Sequence, residues 1–287
     1  MTHAIEIKNL RKQYKDSGFC LDNINISVPK SSIMGIVGKN GAGKSTAISC
    51  IFDIVKKDDG QILLYGNDLD ASPGSLKNDI SVVFDTLSYP EDLNAIKLER
   101  VLRDLYRDFN TDIFMHYINK FNLPKDKKFK EFSRGMTMKL AIAVALSHNA
   151  KFLVLDEATA GLDPVAREEV LDLFLDFAST DDNAILISSH ITSDLERIAD
   201  FITFIDDGKI ILVESKDNLI YKYGIAKMTQ ADFSKLGSCE YIACRNRGLH
   251  IEVLVNNKDD FARSHPDLTL DSAKLDEILP LITKGQN

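Results

Sequence analysis

The residues with the clearest chemical potential form the loop GKNGAGKS, from Gly38 to Ser45. The loop fits the pattern G-x-x-x-x-G-K-[ST] in full, after the apolar run IMGIV and before a helical segment. Glycines let backbone N–H groups curl around phosphate oxygens, and the helix start adds its positive end. We therefore predict a nucleotide site in which Lys44 reaches the β- and γ-phosphates and Ser45 ligates Mg²⁺. The predicted ATP contacts are Gly38, Lys39, Asn40, Gly41, Ala42, Gly43, Lys44, Ser45 and Thr46.

Three further polar groups stand at the ends of apolar runs. Asp156 and Glu157 end FLVLDE, and His190 ends AILISSH. Alone, an acidic pair or a histidine in such a place favours a structural role. Beside a phosphate loop, Asp156 is expected to hold Mg²⁺ mostly through water, Glu157 to polarise the attacking water, and His190 to sense the γ-phosphate.

These groups need a scaffold in which strands and helices alternate. IEIKNL and INISV show the alternation of half-buried antiparallel strands, whereas IMGIV, FLVLDE and AILISSH read as buried strands. From about residue 90 to 146 the pattern is helical. Asp163 as N-cap with Pro164 at the first helical position starts a further helix. FITFIDDGKIILV predicts a hairpin at Asp207-Gly208.

The stretch from about residue 224 to 287 carries no catalytic signal. EYIACRNRGLHIEVLVNN predicts two strands joined at Arg247-Gly248, and LDSAKLDEILPLI predicts a closing helix with a candidate break at Pro280. We expect an accessory extension. Two readings stay open, a dimer-stabilising or regulatory appendage and a simple lid on the sheet, and the lid is the simpler.

Composition argues against several classes of protein. The formal net charge is -8 and no long basic block is present, which disfavours nucleic acid as a partner. No apolar run approaches the ~18 residues that span a bilayer, and the N-terminus lacks a signal-peptide core. We therefore expect a cytosolic chain or one peripheral to a membrane. The four scattered cysteines predict reduced thiols, and Cys239, Cys244 and His250 fit no common zinc spacing.

The motifs GKNGAGKST, FSRGM, FLVLDEATAGLDP and ISSH follow one another in this order. Their order and spacing resemble those of the ATP-binding subunit of ABC (ATP-binding cassette) transporters, over roughly residues 3 to 215. The resemblance implies an α/β fold of the P-loop NTPase, ABC ATPase type. It further implies a nucleotide-binding domain at 1–223 with an antiparallel β subdomain and a helical subdomain inserted at about 86–148. A small α+β C-terminal extension would follow at 224–287.

The segment FSRGM stands where this family has its signature, most often written LSGGQ. In the family this loop closes over the ATP held by the second subunit of a head-to-tail dimer. The resemblance therefore implies contacts to the partner's ATP from Ser133, Arg134, Gly135 and Met136. It also implies that Tyr14 stacks on adenine, and that the two sites are coupled through Ala160, Gly161, Leu162 and Asp163. Asp163 would then be both helix cap and interface residue.

Asp85, in VVFDTLSYP, departs from the family pattern, which usually has glutamine there. Aspartate also offers an oxygen near the metal, although it is shorter and charged. We therefore group Asp85 with Ser45 and Asp156 as predicted metal-binding residues. We hypothesise that this site is tuned or coupled differently. The hypothesis fails if Asp85→Gln leaves metal dependence, ATPase rate and stimulation by a membrane subunit unchanged.

The signature also departs, because Arg134 replaces a glycine and Met136 a glutamine. Ser133 and Gly135, which contact phosphate in the family, are kept, so an active site is expected. The combination FSRGMTMKLAIA is similar to that of single-domain bacterial exporters of peptides, antibiotics or lipids.

The resemblance thus implies an ATPase that uses Mg-ATP, with Glu157, His190 and Lys44 as catalytic residues. It would act as a homodimer, or as a heterodimer with a related subunit, at the cytoplasmic face of the membrane. Its partner would be an integral membrane subunit, docked through the helical block and the Asp85 segment, that carries the exported substrate.

Three alternatives remain open. ABC ATPases of ribosomes resemble two fused cassettes, and this chain has one phosphate loop. DNA-repair ATPases carry a long coiled coil before the signature, and residues 45–133 hold no sustained heptads. A regulatory module that binds ATP without hydrolysis is opposed by Glu157 and His190 and favoured by Arg134 and Asp85.

Overall fold

The computed structural model describes residues 2–71, 78–85, 89–180 and 182–284. Residue 1, residue 86 at the predicted start of the helical subdomain, and residues 285–287 at the predicted end of the extension lie outside this part of the chain. In chain order the strands are β1 (His3–Gln13), β2 (Cys20–Pro29), β3 (Ile33–Val37), β4 (Asp59–Leu64), β5 (Asn67–Asp68), β6 (Ile80–Val83), β7 (Phe152–Asp156), β8 (Ala184–Ser188), β9 (Phe201–Asp206), β10 (Lys209–Ser215), β11 (Gly224–Met228), β12 (Ala243–Asn246), β13 (Ile251–Val255) and β14 (Thr269–Ser272). The helices are α1 (Lys44–Ile51), α2 (Ala95–Leu105), α3 (Thr111–Lys120), α4 (Arg134–Ala145), α5 (Pro164–Ala178), α6 (Thr192–Ile198), α7 (Lys216–Tyr221), α8 (Gln230–Phe233), α9 (Lys258–Ser264) and α10 (Leu275–Lys284).

A six-stranded sheet forms the centre of the molecule, with the order β10-β9-β3-β8-β7-β6. The strands β3, β6, β7, β8 and β9 are parallel, and β10 is antiparallel to β9. Every residue of β3, β7 and β8 is buried, as expected for parallel strands that are covered on both faces. Ser188 pairs with both Ile36 and Asp156, so the carboxyl ends of three strands meet at one edge.

An antiparallel sheet with the order β2-β1-β4-β5 packs on one face of the central sheet. Ile5 lies opposite Val28 and Ile7 opposite Ile26, and these buried side chains share a core with Ile48 of α1. The predicted alternation of β1 and β2 is confirmed. Its physical reason is that only every second side chain of an antiparallel strand faces the core.

A helical block comprising α2, α3 and α4 lies on the other side of the central sheet. Each helix begins at a polar side chain that accepts a backbone N–H of the first turn: Asn94, Asn110 and Ser133. The buried side chains of Phe114 and Leu140 belong to the same apolar core as Leu153 and Leu155 of β7. The predicted helical pattern is confirmed over α2 to α4. None of the helices in the described ranges is both long and apolar enough to cross a membrane.

The C-terminal part forms a third, antiparallel sheet with the order β12-β13-β11-β14. The two predicted strands are present as β12 and β13, and the structure adds β11 and β14. The short, mostly polar run of β14 carries little strand signal. Pro280 lies inside α10 and does not end it. The buried Leu275, Ile278 and Leu281 explain this, because their packing offsets the roughly 3 kcal/mol that an interior proline costs.

Candidate functional site

The loop from Gly38 to Gly43 connects β3 to α1. Two of its glycines are required because a side chain at either position would clash with neighbouring atoms. A Cβ on Gly38 would lie 2.4 Å from the carbonyl oxygen of Ile205. A Cβ on Gly43 would lie 2.5 Å from Leu21 Cδ2. Gly43 also has a φ of +111, a backbone conformation that residues with a side chain rarely adopt. The glycines of the motif therefore let the backbone turn tightly between the central sheet and α1.

Lys44 folds back over this loop and is only 6% exposed. Its Nζ donates hydrogen bonds to the carbonyl oxygens of Gly38 at 2.7 Å and Lys39 at 3.3 Å. Burial lowers the pKa of Lys44, and the carboxylates of Glu157 and Asp156 partly oppose that shift. A buried cation that donates hydrogen bonds to neutral carbonyl oxygens is well suited to exchange them for an anionic phosphate oxygen.

Lys39 has a different partner from Lys44. Its Nζ lies 2.8 Å from Oδ1 of Asp206 at the end of β9, and the contact with this carboxylate raises the pKa of Lys39. The pair ties the outer part of the loop to the central sheet.

Asp156 and Glu157 are fixed by a serine that the sequence motifs did not single out. Ser188, fully buried at the end of β8, donates its hydroxyl to Asp156 Oδ1 at 2.5 Å. Its carbonyl oxygen accepts the Glu157 N–H at 3.1 Å. Asp156 is 5% exposed, so an unpaired oxygen there would be costly. The motif ISSH held a signal for this residue, since Ser188 lies two positions before His190.

Glu157 and His190 form the outer rim of this edge. The His190 backbone N–H donates to Glu157 Oε2 at 3.2 Å, and ring Nδ1 lies 2.5 Å from the same oxygen. Glu157 has a φ of +56, a left-handed conformation that costs an ordinary side chain on the order of 1 kcal/mol. Both contacts orient the Glu157 carboxylate, while the His190 side chain stays 58% exposed.

Lys44, Asp156 and Glu157 line an open cleft of about 770 Å³, which lies within the usual range for small-molecule sites. The predicted catalytic residue His190 does not line this cleft and contacts it through Glu157. Among the predicted site residues, the lining contains Tyr14, Asn40, Gly41, Gly43, Lys44, Ser45, Thr46, Asp85, Asp156 and Glu157. It also contains Ser17, Phe19, Ser49 and Phe84, which the sequence interpretation did not include. The predicted loop residues Gly38, Lys39 and Ala42 belong to the turn but do not line the cleft.

Two aromatic side chains form one end of the cleft. The ring centroids of Tyr14 and Phe19 are 6.5 Å apart, and the Tyr14 N–H donates to the Phe19 carbonyl oxygen at 2.9 Å. Phe19 also reaches the phosphate loop, since a Cβ on Gly43 would lie 3.0 Å from its Cζ. Lys12 Nζ lies 5.7 Å from the centre of the Tyr14 ring. An aromatic residue five positions after Tyr14 was the available signal for Phe19.

Ser45, Asp85 and Asp156 bring oxygen donors to this cleft. Oxygen donors suit Mg²⁺, whereas thiolate and imidazole favour zinc. Within the described ranges, no group of three His, Cys, Asp or Glu side chains is placed to hold a metal ion. The sparse donor set fits Mg²⁺, which commonly keeps several waters and substrate phosphates as ligands.

The signature residues lie outside the cleft lining, at the start of α4. Ser133 is exposed and accepts the Met136 N–H at 3.3 Å. Gly135 faces the loop before α5, and a Cβ added at Gly135 would lie 3.4 Å from the Gly161 carbonyl oxygen. In that loop Asp163 accepts the Ala166 N–H at 3.0 Å, which lowers the pKa of Asp163.

Two of the three departures from the family pattern, Asp85 and Arg134, contact each other in this structure. The Arg134 guanidinium forms an ion pair with Asp85 Oδ1. Both residues also line a smaller cavity of about 260 Å³ beside α4, together with Phe84, Phe132 and Met138. Asp85 therefore lies between this cavity and the nucleotide cleft.

Comparison with known proteins agrees with this arrangement. The family model described as ABC transporter matches residues 21–160. The chain is 36% identical over 215 residues to the lantibiotic transport ATP-binding protein SrtF of Streptococcus pyogenes, covering 74% of this chain and 91% of SrtF. It is 30% identical to the bacitracin transport ATP-binding protein BcrA of Enterococcus faecalis, covering 74% of this chain and 69% of BcrA.

A solved structure shares the fold. It is the dimeric, post-hydrolysis state of the ATP-binding cassette MJ0796 bound to ADP and phosphate, with a TM-score of 0.67 and 22% identity over 74% of this chain and 98% of that one. The predicted fold class is thereby confirmed. The identification of the family rests on the phosphate loop, on Asp156 and Glu157 at the end of β7, and on the extent of these similarities. The chain therefore belongs to the ATP-binding proteins of ABC transporters, and it is an ATPase.

Proposed function

We propose that this ATPase powers the export of a peptide antibiotic or a related peptide through a separate integral membrane subunit. The observation that carries the proposal is that Lys44, Ser45, Asp156 and Glu157 line one open cleft in a chain similar to SrtF over most of its length. The names of SrtF and BcrA, which refer to lantibiotic and bacitracin transport, support the class of cargo. A lipid is the alternative cargo, because FSRGMTMKLAIA is similar to the corresponding segment of peptide, antibiotic and lipid exporters.

Within the cleft, each residue has one task. Backbone N–H groups of the loop and the start of α1 bind the ATP phosphates, and Lys44 exchanges its carbonyl partners for β- and γ-phosphate oxygens. Glu157, held by His190, orients water for attack on the γ-phosphorus, a role that contributes about 10²- to 10⁴-fold. Ser45, Asp85 and Asp156 would hold Mg²⁺. When bound, Mg²⁺ neutralises charge on the phosphate oxygens.

We further propose that two chains sandwich two ATP molecules, each between one cleft and the other chain's α4 start. Three features support this arrangement. Ser133 and Arg134 are exposed and lie outside the lining of their own cleft. The helix that they start has 12 residues, so its N-terminal N–H groups and dipole favour an anion. The MJ0796 cassette, which shares the fold, is described as a dimer.

The membrane subunit would dock on the helical block, at the cytoplasmic face of the membrane. Four apolar side chains on α2 and α3 are exposed: Ile96, Val101, Leu105 and Ile113. Leu105 is the most exposed of the four, at 71%, so a polar substitution there leaves the core of the helical block intact.

We propose that residues 224–287 are a lid on residues 1–223 rather than an independent regulatory unit. Ile225, Leu254 and Ile278 belong to the same continuous apolar core as Leu195 of α6. The Leu275 N–H donates to Glu196 Oε1 at 3.0 Å, which links α10 to α6. A shared core makes separate motion of the extension costly.

A co-purification experiment tests the transport proposal. The chain is tagged in its native cell, membranes are solubilised gently and co-purifying proteins are identified. We expect a stoichiometric multi-spanning protein, which Leu105→Asp should lose while ATP binding stays intact. The matched control is Leu249→Asp, because Leu249 is 97% exposed at the tip of the C-terminal hairpin. A soluble complex with no membrane partner would contradict a transport role.

A further inference from the structure

The ion pair between Arg134 and Asp85 links two separate surfaces of the chain. Asp85 lines the nucleotide cleft together with Lys44 and Asp156. Arg134 is the first residue of α4, next to the cap residue Ser133. The pair thus joins residues that are 49 positions apart in sequence and that belong to different parts of the proposed site.

The Arg134 side chain is supported along its length but held at its tip by one carboxylate. Its stem lies over Gly161, where a Cβ would be 3.2 Å from Arg134 Cδ and 3.3 Å from Nε. A side chain at position 161 would therefore push against this stem. The guanidinium reaches past the loop before α5 to Asp85, the ion-pair partner that the structure gives it.

This ion pair is easily exchanged. The Arg134 side chain is 61% exposed and that of Asp85 is 35% exposed. Water screens such pairs, so they contribute little to stability. A triphosphate carries more charge than a single carboxylate, and guanidinium binds phosphate through two parallel hydrogen bonds. A phosphate group that reached the start of α4 would outcompete Asp85 for Arg134.

We propose that Asp85 restrains Arg134 until the ATP of a second copy of this chain takes over the guanidinium. The inference rests on the proposed sandwich dimer and adds a charge exchange to it. In the free chain Asp85 neutralises Arg134. In the closed dimer Arg134 turns to the partner's phosphates, and the Asp85 carboxylate is released beside its own cleft.

The proposal predicts effects of opposite sign from the two ends of one ion pair. Loss of the Arg134 charge removes a phosphate contact and weakens the ATP-bound dimer. Loss of the Asp85 charge removes the competitor for Arg134 and strengthens the ATP-bound dimer. A pair that only braces the fold would behave differently, because either substitution would break the same contact and shift the dimer in the same direction.

The test is sedimentation velocity of the full chain carrying Glu157→Gln, at saturating ATP and Mg²⁺. Arg134→Gln should raise the dimer dissociation constant about tenfold or more, the effect of a lost charged hydrogen bond. Asp85→Asn keeps an oxygen that can ligate Mg²⁺ and removes only the charge, so it should lower the dissociation constant about two- to fivefold, the strength of an exposed ion pair. The double variant should match Arg134→Gln alone, since Asp85 acts through Arg134.

Matched controls come from another exposed ion pair. Lys128 and Asp92 lie 2.9 Å apart beside the helical block, and Lys128→Gln and Asp92→Asn should leave the dissociation constant unchanged. ATP binding to dilute, monomeric protein shows that each variant is folded. If Arg134→Gln leaves the dimer dissociation constant unchanged, or if both single variants shift it in the same direction, the charge exchange alone is overturned. A parent protein that stays monomeric would overturn both the exchange and the sandwich.

Discussion

The nucleotide cleft and the start of α4 are built in opposite ways, although both are proposed to bind the same phosphates. Lys44 is 6% exposed, Asp156 5% and Ser188 0%, and each has a hydrogen-bond partner within the chain. By contrast, Ser133 is exposed and the Arg134 side chain is 61% exposed. The cleft is built from buried groups that the chain itself holds in place, whereas the Ser133 and Arg134 side chains at the start of α4 lie exposed to solvent.

Position in the fold explains the contrast. The cleft lies at the carboxyl ends of parallel strands, where buried neighbours on both faces fix each side chain. The α4 surface lies at a helix terminus, where Ser133 accepts the Met136 N–H and the Arg134 side chain is 61% exposed. Substitutions in the cleft should therefore change both stability and chemistry, and those at the α4 surface should act mainly through association.

The largest effect is expected from Glu157→Gln. The amide keeps the shape but cannot accept a proton, so ATP turnover should fall by about 10²- to 10⁴-fold while ATP binding persists and the dimer accumulates. Phosphate release and ATP binding are measured on the same preparation. Glu169→Gln, at an exposed position of α5, should leave turnover unchanged. A Glu157→Gln variant that hydrolysed at the normal rate would refute the base assignment.

Lys44→Met should weaken ATP binding by about ten- to a hundredfold, because a charged hydrogen bond to phosphate is lost. It should also stabilise the nucleotide-free chain at neutral pH, since burial disfavours the charged amine.

The stabilisation of the nucleotide-free chain by Lys44→Met should depend on pH, and its sign is defined. Between the lowered folded-state pKa of Lys44 and its ordinary value of 10.5, the unfolded chain binds more protons, so the wild-type protein gains stability as pH rises. The advantage of Lys44→Met is therefore full at neutral pH and shrinks on approach to pH 10.5. Urea unfolding at several pH values measures it, and a gain that grew with pH would contradict the role of burial.

Ser188→Ala tests the buried hydrogen bond that holds the Asp156 carboxylate. It leaves Asp156 without its hydroxyl donor, so the free energy of unfolding should fall by about 1–3 kcal/mol, and turnover should fall with it. Ser179→Ala removes an exposed hydroxyl that bonds the Asp176 carbonyl oxygen, and it should cost less than about 0.5 kcal/mol. Equal losses for the two variants would remove the contrast between buried and exposed positions.

The smallest effect on stability is expected at the α4 surface. Ser133→Ala removes an N-cap and should cost about 1 kcal/mol of unfolding free energy. Ser133→Asn caps a helix equally well, so it should restore stability. If Ser133 also binds the partner's phosphate, Asn should fail to restore ATP-dependent dimerisation. Full recovery of both properties would reduce Ser133 to a helix cap.

Much of the cleft was predictable from local patterns. GKNGAGKS after an apolar strand specifies a phosphate loop because glycine is required wherever backbone must turn that tightly, as at Gly38 and Gly43. Phe19 and Ser188 are not predictable in this way, because the residues they contact, Gly43 and Asp156, are distant in sequence. The Arg134–Asp85 pair is unpredictable for the same reason, although each residue departs from the family pattern.

The sequence by itself determined the alternation of strands and helices, the phosphate loop, the acidic residues at the end of the FLVLDE strand and the helix cap at Asp163. These features depend on spacing and on contacts within a few residues. Only the tertiary structure decided that Ser188 supports Asp156, that Phe19 reaches the phosphate loop at Gly43, and that Arg134 pairs with Asp85. Such contacts arise from strand order and from the placement of α4 against the sheet, which short-range chemistry does not encode.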